Sequence, residues 1–159
     1  MREFTVGSGN ATVAGATSLV CLHAPAAPGV NIEFLRYWVG QSANATSAQQ
    51  RIQLGNGSAV PTLVAATPIK QKEHDAVSIL VGSTTGAAAT AGINASAEPA
   101  SFANVETDAF NVLNGWLRID TPAETKIQPA GAVSGYYMTF AAAPGTVTGW
   151  SFGVRYREV

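Results

Sequence analysis

The sequence has little charge, one cysteine and two histidines, and each shortage excludes a class of protein. Asp, Glu, Lys and Arg together make up 12% of the 159 residues, about half of the roughly 25% that soluble domains usually carry. The formal net charge is −1 and no basic stripe is visible, so nucleic acid is not expected as a partner. A surface that is charge-poor and nearly neutral tends to associate, which predicts contacts with further copies or with another protein.

The lone cysteine excludes a disulfide framework, and its apolar neighbours in "SLVCLH" predict that Cys21 is a buried thiol. No apolar run follows Met1 that could serve as a signal peptide, and no stretch is long enough to span a membrane. We therefore expect a protein that is made in the cytoplasm and has no membrane partner.

Helical periodicity is also nearly absent, and what replaces it is a succession of short apolar or alternating segments bounded by Gly, Pro, Asn and Ser. These segments predict strands at 2–6, 17–24, 30–40, 50–55, 60–67, 76–82, 109–119, 125–128, 134–141 and 147–157. About ten strands in a chain of this length predict a single domain over 1–159, folded as an all-β antiparallel β-sandwich. A jelly roll is the first choice and an immunoglobulin-like sandwich the second, since no sequence pattern separates the two.

Three segments carry more specific expectations. Apolar residues on both faces of "VNIEFLRYWVGQ" predict a strand that is covered on both sides for part of its length. Asn56-Gly57 suits the positive φ angles of a tight turn, which predicts a hairpin around it. Residues 82–101 are rich in Ala, Gly and Thr and offer little to bury, so they predict a long loop, either mobile or lying flat against a neighbouring subunit.

Candidate catalytic groups are few and isolated. Two histidines, His23 and His74, fall short of the three protein ligands that a catalytic zinc usually takes. The run "KQKEHD" around His74 predicts a solvated loop, and no nucleophile motif accompanies it. Asp120 and Glu124 flank "TPA" on one tight connection and are interpreted as turn residues, not as a glycosidase pair. We expect no catalytic residue, metal or cofactor, and hence no enzyme.

The aromatic residues admit two readings. Trp38, Trp116 and Trp150 all lie on predicted strands, together with four tyrosines. Packing in the core is the default for large side chains on strands. Exposed members of the set would instead provide a platform on which sugars stack.

The most regular strand pattern stands at the end of the sequence, in "GWSFGVRYREV". Trp150, Phe152, Val154 and Tyr156 alternate with a polar series that includes Arg155 and Arg157. A terminal segment is loose unless a sheet ties it down, so the pattern predicts a paired final strand. The two arginines either meet acidic groups on a partner or are simply exposed. The candidate interface comprises Arg2, Phe4, Arg155, Tyr156 and Arg157.

Three segments, "FLRYWVGQSANATSAQQRIQL", "FNVLNGWLRIDTPAETKIQPAG" and "GYYMTFAAAPGTVTGWSFGVRYREV", resemble parts of small β-rich virion proteins of tailed bacteriophages. The chain is similar to capsid decoration, or cement, proteins over roughly residues 30–159. The resemblance implies a protein without catalysis that binds the major capsid protein on the outside of the phage head, as a homotrimer or another small oligomer. It also implies production in the host cytoplasm and assembly into the virion.

Other functions remain open at this stage. A carbohydrate-binding module would use exposed Trp or Tyr, and another virion location, such as a head fibre, tail or baseplate, would suit the same composition. A small β-sandwich enzyme is the least favoured, because the sequence contains no recognisable carboxylate pair or histidine cluster.

Overall fold

The computed structural model describes residues 2–23, 30–58, 62–82, 90–97, 101–128 and 134–159. Regular structure in these ranges consists of strands. In chain order they are β1 (Arg2–Ala11), β2 (Ser18–His23), β3 (Ile32–Gln41), β4 (Gln49–Ser58), β5 (Thr62–Ala65), β6 (Ile69–Lys70), β7 (Val81–Gly82), β8 (Thr90–Ala97), β9 (Ser101–Asn111), β10 (Trp116–Ile119), β11 (Ile127–Gln128), β12 (Ser134–Phe140) and β13 (Trp150–Glu158).

The strands form two sheets that pack face to face as a sandwich, which confirms the predicted fold class. Sheet A has the order β10–β3–β13–β1–β6, with β11 pairing next to β10 along β3. Sheet B has the order β5–β8–β2–β12–β4–β9. Pairing is antiparallel throughout except for the short β7, which runs parallel to β8.

The long strands pair in a nested way. β1 pairs with β13, β2 with β12, β3 with β10, and β4 with β9. Successive members of this series alternate between sheets A and B. Two further pairs, β13 with β3 and β12 with β4, close each sheet. The first and last strands of the chain are therefore neighbours in the middle of sheet A, and the final strand is tied down on both sides.

A β-bulge explains the unusual apolar pattern of β3. Arg36 lies opposite Arg155, but Phe34 lies opposite Tyr156, so Leu35 is an extra residue on β3. The bulge exchanges the two faces of the strand at that point, and Tyr37 is buried although its parity differs from that of Phe34. The prediction that β3 is covered on both sides is thus wrong, because one buried face changes parity along the strand.

The predicted hairpin at Asn56-Gly57 is also wrong. Both residues lie inside the continuous strand β4, where they pair with β9 on one side and β12 on the other. The nearby Gly55 serves close packing, since a Cβ there would lie 2.3 Å from the carbonyl oxygen of Ala103. The positive-φ glycines among the described residues are Gly115 and Gly149, and each directly precedes a strand of sheet A.

The predicted long loop at 82–101 contains a strand. β8 runs through its second half and pairs with β5 and β2 in sheet B, while 83–89 and 98–100 lie outside the described residues. Ala91 and Ala95 are buried although they are small, and Leu63 fills the space next to Gly92. Alternating small residues therefore build a buried strand, which a search for large apolar side chains misses. The predicted strand 109–119 is likewise divided between β9 and β10, which belong to different sheets.

Large aromatic side chains fill the space between the sheets. Phe34 of sheet A lies 4.3 Å from Tyr136 of sheet B, and Trp150 lies 4.8 Å from Phe140, measured between ring centroids. Edge-to-face and tilted pairs of this kind add to the free energy gained by burial. Cys21 is fully buried in a smaller cluster on the other face of sheet B, which confirms its predicted environment.

Close packing between the first and last strands predicts that two glycines of β1 differ in how well they tolerate a side chain. A Cβ at Gly7 would lie 2.3 Å from the Phe152 carbonyl oxygen and 2.8 Å from the Gly153 Cα, whereas a Cβ at Gly9 would meet nothing within 4 Å. We expect Gly7→Ala to lower the free energy of unfolding by about 1–3 kcal/mol through overpacking. Gly9→Ala, the matched control, should change it by no more than about 1 kcal/mol. Urea denaturation of both variants tests this, and equal midpoints would contradict it.

Candidate interface on sheet A

The five residues of the predicted interface do not share one surface. β1 and β13 pair with Phe4 opposite Tyr156 and with Thr5 opposite Arg155. Phe4 and Tyr156 are fully buried and lie 5.6 Å apart between ring centroids. Their inclusion in an interface is therefore wrong, because their positions on the two strands point into the core. Arg155 and Arg157 alternate with Tyr156 and lie on the outer face of sheet A, the face that points away from sheet B.

The three arginines of the predicted set pair with carboxylates of their own chain. Arg155 contacts Glu3 on β1, and Arg157 contacts Glu33 on β3. Partly exposed ion pairs of this kind each contribute little to stability. They do neutralise most of the charge on the outer face. Acidic partners for Arg155 and Arg157 are thus already present within the chain. The sequence does not reveal them, because only the strand register brings these residues together.

Arg2 belongs to a different and more deeply buried cluster. It pairs at 2.8 Å with Glu158, whose side chain is 1% exposed. The same carboxylate accepts hydrogen bonds from the Ser78 hydroxyl at 2.6 Å and from the Ile79 backbone N–H at 2.9 Å. Tyr156 lies 2.8 Å from the Ser78 oxygen, and it is the donor in this pair because the Ser78 proton goes to Glu158. Through these bonds Glu158 holds the end of β13 against Ser78 and Ile79, in the segment that follows β6.

Trp38 lies flat on the outer face of sheet A. A Cβ at Gly153, its neighbour on β13, would lie 2.2 Å from the Trp38 ring, so the indole occupies the place of the missing side chain. The guanidinium carbon of Arg36 is 5.7 Å from the ring centroid, within the range of a cation–π contact. Trp38 and Arg36 line a shallow pocket of about 180 Å³ together with Thr5, Gln71 and Arg155.

Exposed aliphatic side chains occupy one edge of the same face. Leu117 lies opposite Trp38, Ile119 opposite Arg36, and Ile127 opposite Glu33. Their exposed fractions are 56%, 66% and 54%. We call these three residues the aliphatic edge. They belong to β10 and β11, which pair with β3 and form the outermost position of sheet A.

The side of the sandwich next to the aliphatic edge holds a polar cluster that joins the two sheets. Arg118 of β10 contacts Glu106 of β9 and pairs with Asp120 at 2.5 Å. The indole N–H of Trp116 donates to Asp108 at 2.9 Å, and this bond lowers the pKa of Asp108. Glu124 accepts hydrogen bonds from Thr121 within the predicted turn. Asp120 directly precedes this turn, and its side chain, which pairs with Arg118, is 1% exposed.

Two tyrosines lie behind this cluster. Burial raises the pKa of Tyr136 to about 12, and it raises the pKa of Tyr37 further, with the negative charge of Asp120 acting in the same direction. Burial also raises the pKa of Tyr156. The Tyr37 and Tyr136 hydroxyls face each other, and their mutual interaction further raises the pKa of Tyr37. The site therefore contains phenols that the fold keeps neutral.

The remaining candidates take ordinary positions. His23 is buried on β2 and His74 lies in an exposed turn. Among the described residues no three His, Cys, Asp or Glu side chains come together as a metal site. In the same ranges no helix reaches the length and apolar character needed to cross a membrane. The chain matches no protein-family model, no curated protein and no solved structure at a significant level.

The buried carboxylate of Glu158 predicts a loss of stability on neutralisation. Glu158→Gln replaces one accepting oxygen by an NH₂ group and leaves Arg2 without its partner, so we expect the free energy of unfolding to fall by about 2–3 kcal/mol. Glu73→Gln is the control, because Glu73 is exposed, and it should stay within about 0.5 kcal/mol of the wild type. Chemical denaturation at pH 7 measures both, and an unchanged midpoint for Glu158→Gln would rule out the anchoring role.

The buried tyrosines predict alkaline unfolding. Their pKa values are raised in the folded state. The free energy of unfolding is therefore unaffected below the unfolded pKa of about 10, and it falls as the pH rises from there through the folded pKa values. Each of the three should add up to about 1.4 kcal/mol per pH unit to the loss between about pH 10 and 12. Tyr37→Phe should make this slope shallower by one tyrosine. Denaturation at several pH values, with phenolate absorbance as a second signal, tests this; a slope identical to the wild type would refute it.

Proposed function

We propose that this chain is a structural virion protein, a capsid decoration or cement protein that binds the outside of a phage head. In this proposal it acts by binding alone, as a homotrimer that contacts the major capsid protein. The observation that carries the proposal is the aliphatic edge, Leu117, Ile119 and Ile127, which ends sheet A with exposed apolar side chains. The resemblance of three segments to phage decoration proteins gives the kind of particle.

The aliphatic edge has the properties of an association surface. Large contiguous apolar patches on a protein surface mark contacts with other molecules, and full burial of one Leu or Ile contributes about 1.5–3 kcal/mol. An outermost strand also has unpaired backbone groups that a second chain can bind. β10 and β11 combine both features, and the turn between them, held by Thr121 and Glu124, keeps the edge short. A second copy of the chain is therefore the occupant that we propose for it.

The strand order supports a jelly roll as the specific form of the sandwich. In a jelly roll a long antiparallel hairpin is folded over so that its strands alternate between two sheets. The nested pairs β1–β13, β2–β12, β3–β10 and β4–β9 have this arrangement. Jelly rolls are common in viral capsid proteins and also in lectins. The fold is therefore compatible with both a decoration protein and a carbohydrate-binding module, and it does not distinguish them.

One observation favours the second candidate, a carbohydrate-binding module. Trp150 is buried in the core, but Trp38 is partly exposed and lies flat on the outer face of sheet A. An indole in this position presents a flat apolar surface next to charged groups. A phage-borne module, in the head or elsewhere in the particle, would unite the two candidates.

The proposed self-association predicts a mass in solution and its loss on mutation. The wild-type chain should have three times the mass of its 16.3 kDa protomer in sedimentation or light scattering and should bind expanded phage heads. Leu117→Lys combined with Ile119→Lys should give a folded monomer, because charges at the edge cannot be buried without partners. Val105→Lys, at an exposed valine of β9 outside the aliphatic edge, should leave the mass unchanged.

Two outcomes would overturn the virion role. One is a wild-type chain that is monomeric and has no affinity for heads. The other is a particle in which cryo-electron microscopy places the protein away from the head, which would favour a tail or baseplate component instead.

A further inference from the structure

Two arginines face each other across neighbouring strands on the outer face of sheet A. Arg36 of β3 lies directly opposite Arg155 of β13. Like charges in this position destabilise a sheet. Glu3 neutralises Arg155, but within the described ranges Arg36 makes no ion pair, and its guanidinium lies near the ring of Trp38. This point of the surface therefore keeps an excess positive charge on an otherwise compensated face.

The pocket between the two arginines offers several kinds of contact. Its lining consists of Thr5, Arg36, Trp38, Gln71 and Arg155, around a volume of about 180 Å³. The Nε of Arg155 is buried and has no hydrogen-bond partner within the described residues. The Gln71 amide nitrogen donates to the Thr5 hydroxyl at 2.7 Å, which leaves the Thr5 hydroxyl proton as a donor and the Gln71 carbonyl oxygen as an acceptor.

We propose that this pocket binds a sugar that carries a carboxylate, such as a uronic or sialic acid. Guanidinium groups bind planar carboxylates through paired hydrogen bonds, and Arg36 has its charge available for one. The Trp38 indole packs against Gly153 and has the Arg36 guanidinium 5.7 Å from its ring centroid, so a sugar ring would contact the part of the indole beside that guanidinium. Thr5 and Gln71 supply a donor and an acceptor for hydroxyl groups. Neither an inorganic anion nor a neutral sugar would use all of these groups.

The size of the pocket limits the ligand. Drug-sized sites measure about 300–1,000 Å³, so a pocket of about 180 Å³ accommodates one sugar residue. The polymer to which that residue belongs would extend over the open face of the sheet. This inference names the ligand class of the carbohydrate-binding candidate and does not rest on the virion role.

The test is a binding titration of the full chain with galacturonate, glucuronate and N-acetylneuraminate, followed by calorimetry and by tryptophan fluorescence. Galactose, acetate and inorganic phosphate at matched ionic strength are the comparison ligands. We expect at least one acidic sugar to bind more tightly than all three and to change the fluorescence. The fluorescence change should be absent in Trp38→Phe, because Trp116 and Trp150 lie outside the pocket lining.

Two arginine variants separate a site from a general charge effect. Arg36→Gln should weaken binding of the acidic sugar by about tenfold or more, the factor expected for one charge-assisted hydrogen bond. Arg51→Gln removes the same charge from an exposed position on β4 of sheet B and should leave binding unchanged. Arg36→Gln should melt close to the wild-type temperature, because it removes both a like-charge pair and a cation–π contact with Trp38.

Several results would overturn the inference. They are no binding of any acidic sugar, equal binding of galactose, equal binding of acetate or phosphate, and an unchanged affinity in Arg36→Gln. Solution mass and head binding are measured without sugar and on other residues, so failure of this inference leaves the proposed virion role standing, and failure of the virion role leaves this inference standing.

Discussion

The structure depends on the position of β13 between β1 and β3. The last strand of the chain forms the middle of sheet A, so this sheet cannot be completed until the final residues pair. The contact between Arg155 and Glu3 joins residues 152 positions apart. Pairing at such separations requires closure of a very long loop before any contact repays it. A sheet built in this way is slow to form, and neither terminal strand can leave it without breaking the pairing at its centre.

The same arrangement determines what sheet A presents on its outer face. Gly7 and Gly153 are opposite each other where β1 and β13 meet, and Trp38 lies over the space that a side chain at Gly153 would fill. Glu3 and Glu33 flank β13 and neutralise its arginines. The middle of the face is therefore flat and nearly compensated in charge. Exposed apolar side chains lie at the two edges instead, Ile69 on β6 at one and the three residues of the aliphatic edge at the other. We propose self-association at the larger group, on β10 and β11, and not on the terminal strand.

The sequence predicts the sandwich because most strands alternate clearly and are bounded by turn residues. β13 is the best example: its inward series from Trp150 to Tyr156 is buried as expected. The errors share a physical cause: neighbouring strands, which a single sequence does not show, determine the parity, backbone conformation and burial of these segments. A bulge at Leu35 reverses the parity of β3, and strands on both sides turn the Asn56-Gly57 pair into extended backbone. β8 is buried through alanines that carry almost no pattern.

The candidate interface was harder to predict than the fold, for a related reason. Arg155 and Arg157 were placed correctly on an outward face, but their partners come from β1 and β3, and a single sequence does not contain the register that brings these together. The sequence does not mark Arg36 as a site residue either, because it lies opposite Arg155 only through the bulge in β3. The aliphatic edge is not apparent in the sequence because Leu117, Ile119 and Ile127 look like core residues there. They are exposed because, among the described residues, no strand covers their side of sheet A.

The two proposed surfaces are neighbours, and their proximity has a functional consequence. Leu117 lies opposite Trp38, and Ile119 lies opposite Arg36, so the aliphatic edge and the pocket are one strand apart, about 4.8 Å in a sheet. Association of copies through the aliphatic edge would therefore bring several pockets close to the same seam. A single shallow pocket binds one sugar residue weakly, but several pockets on one rigid oligomer can bind a repeating acidic polysaccharide at once. Linked weak sites then hold far more tightly than any one of them, so self-association would raise the affinity in either role.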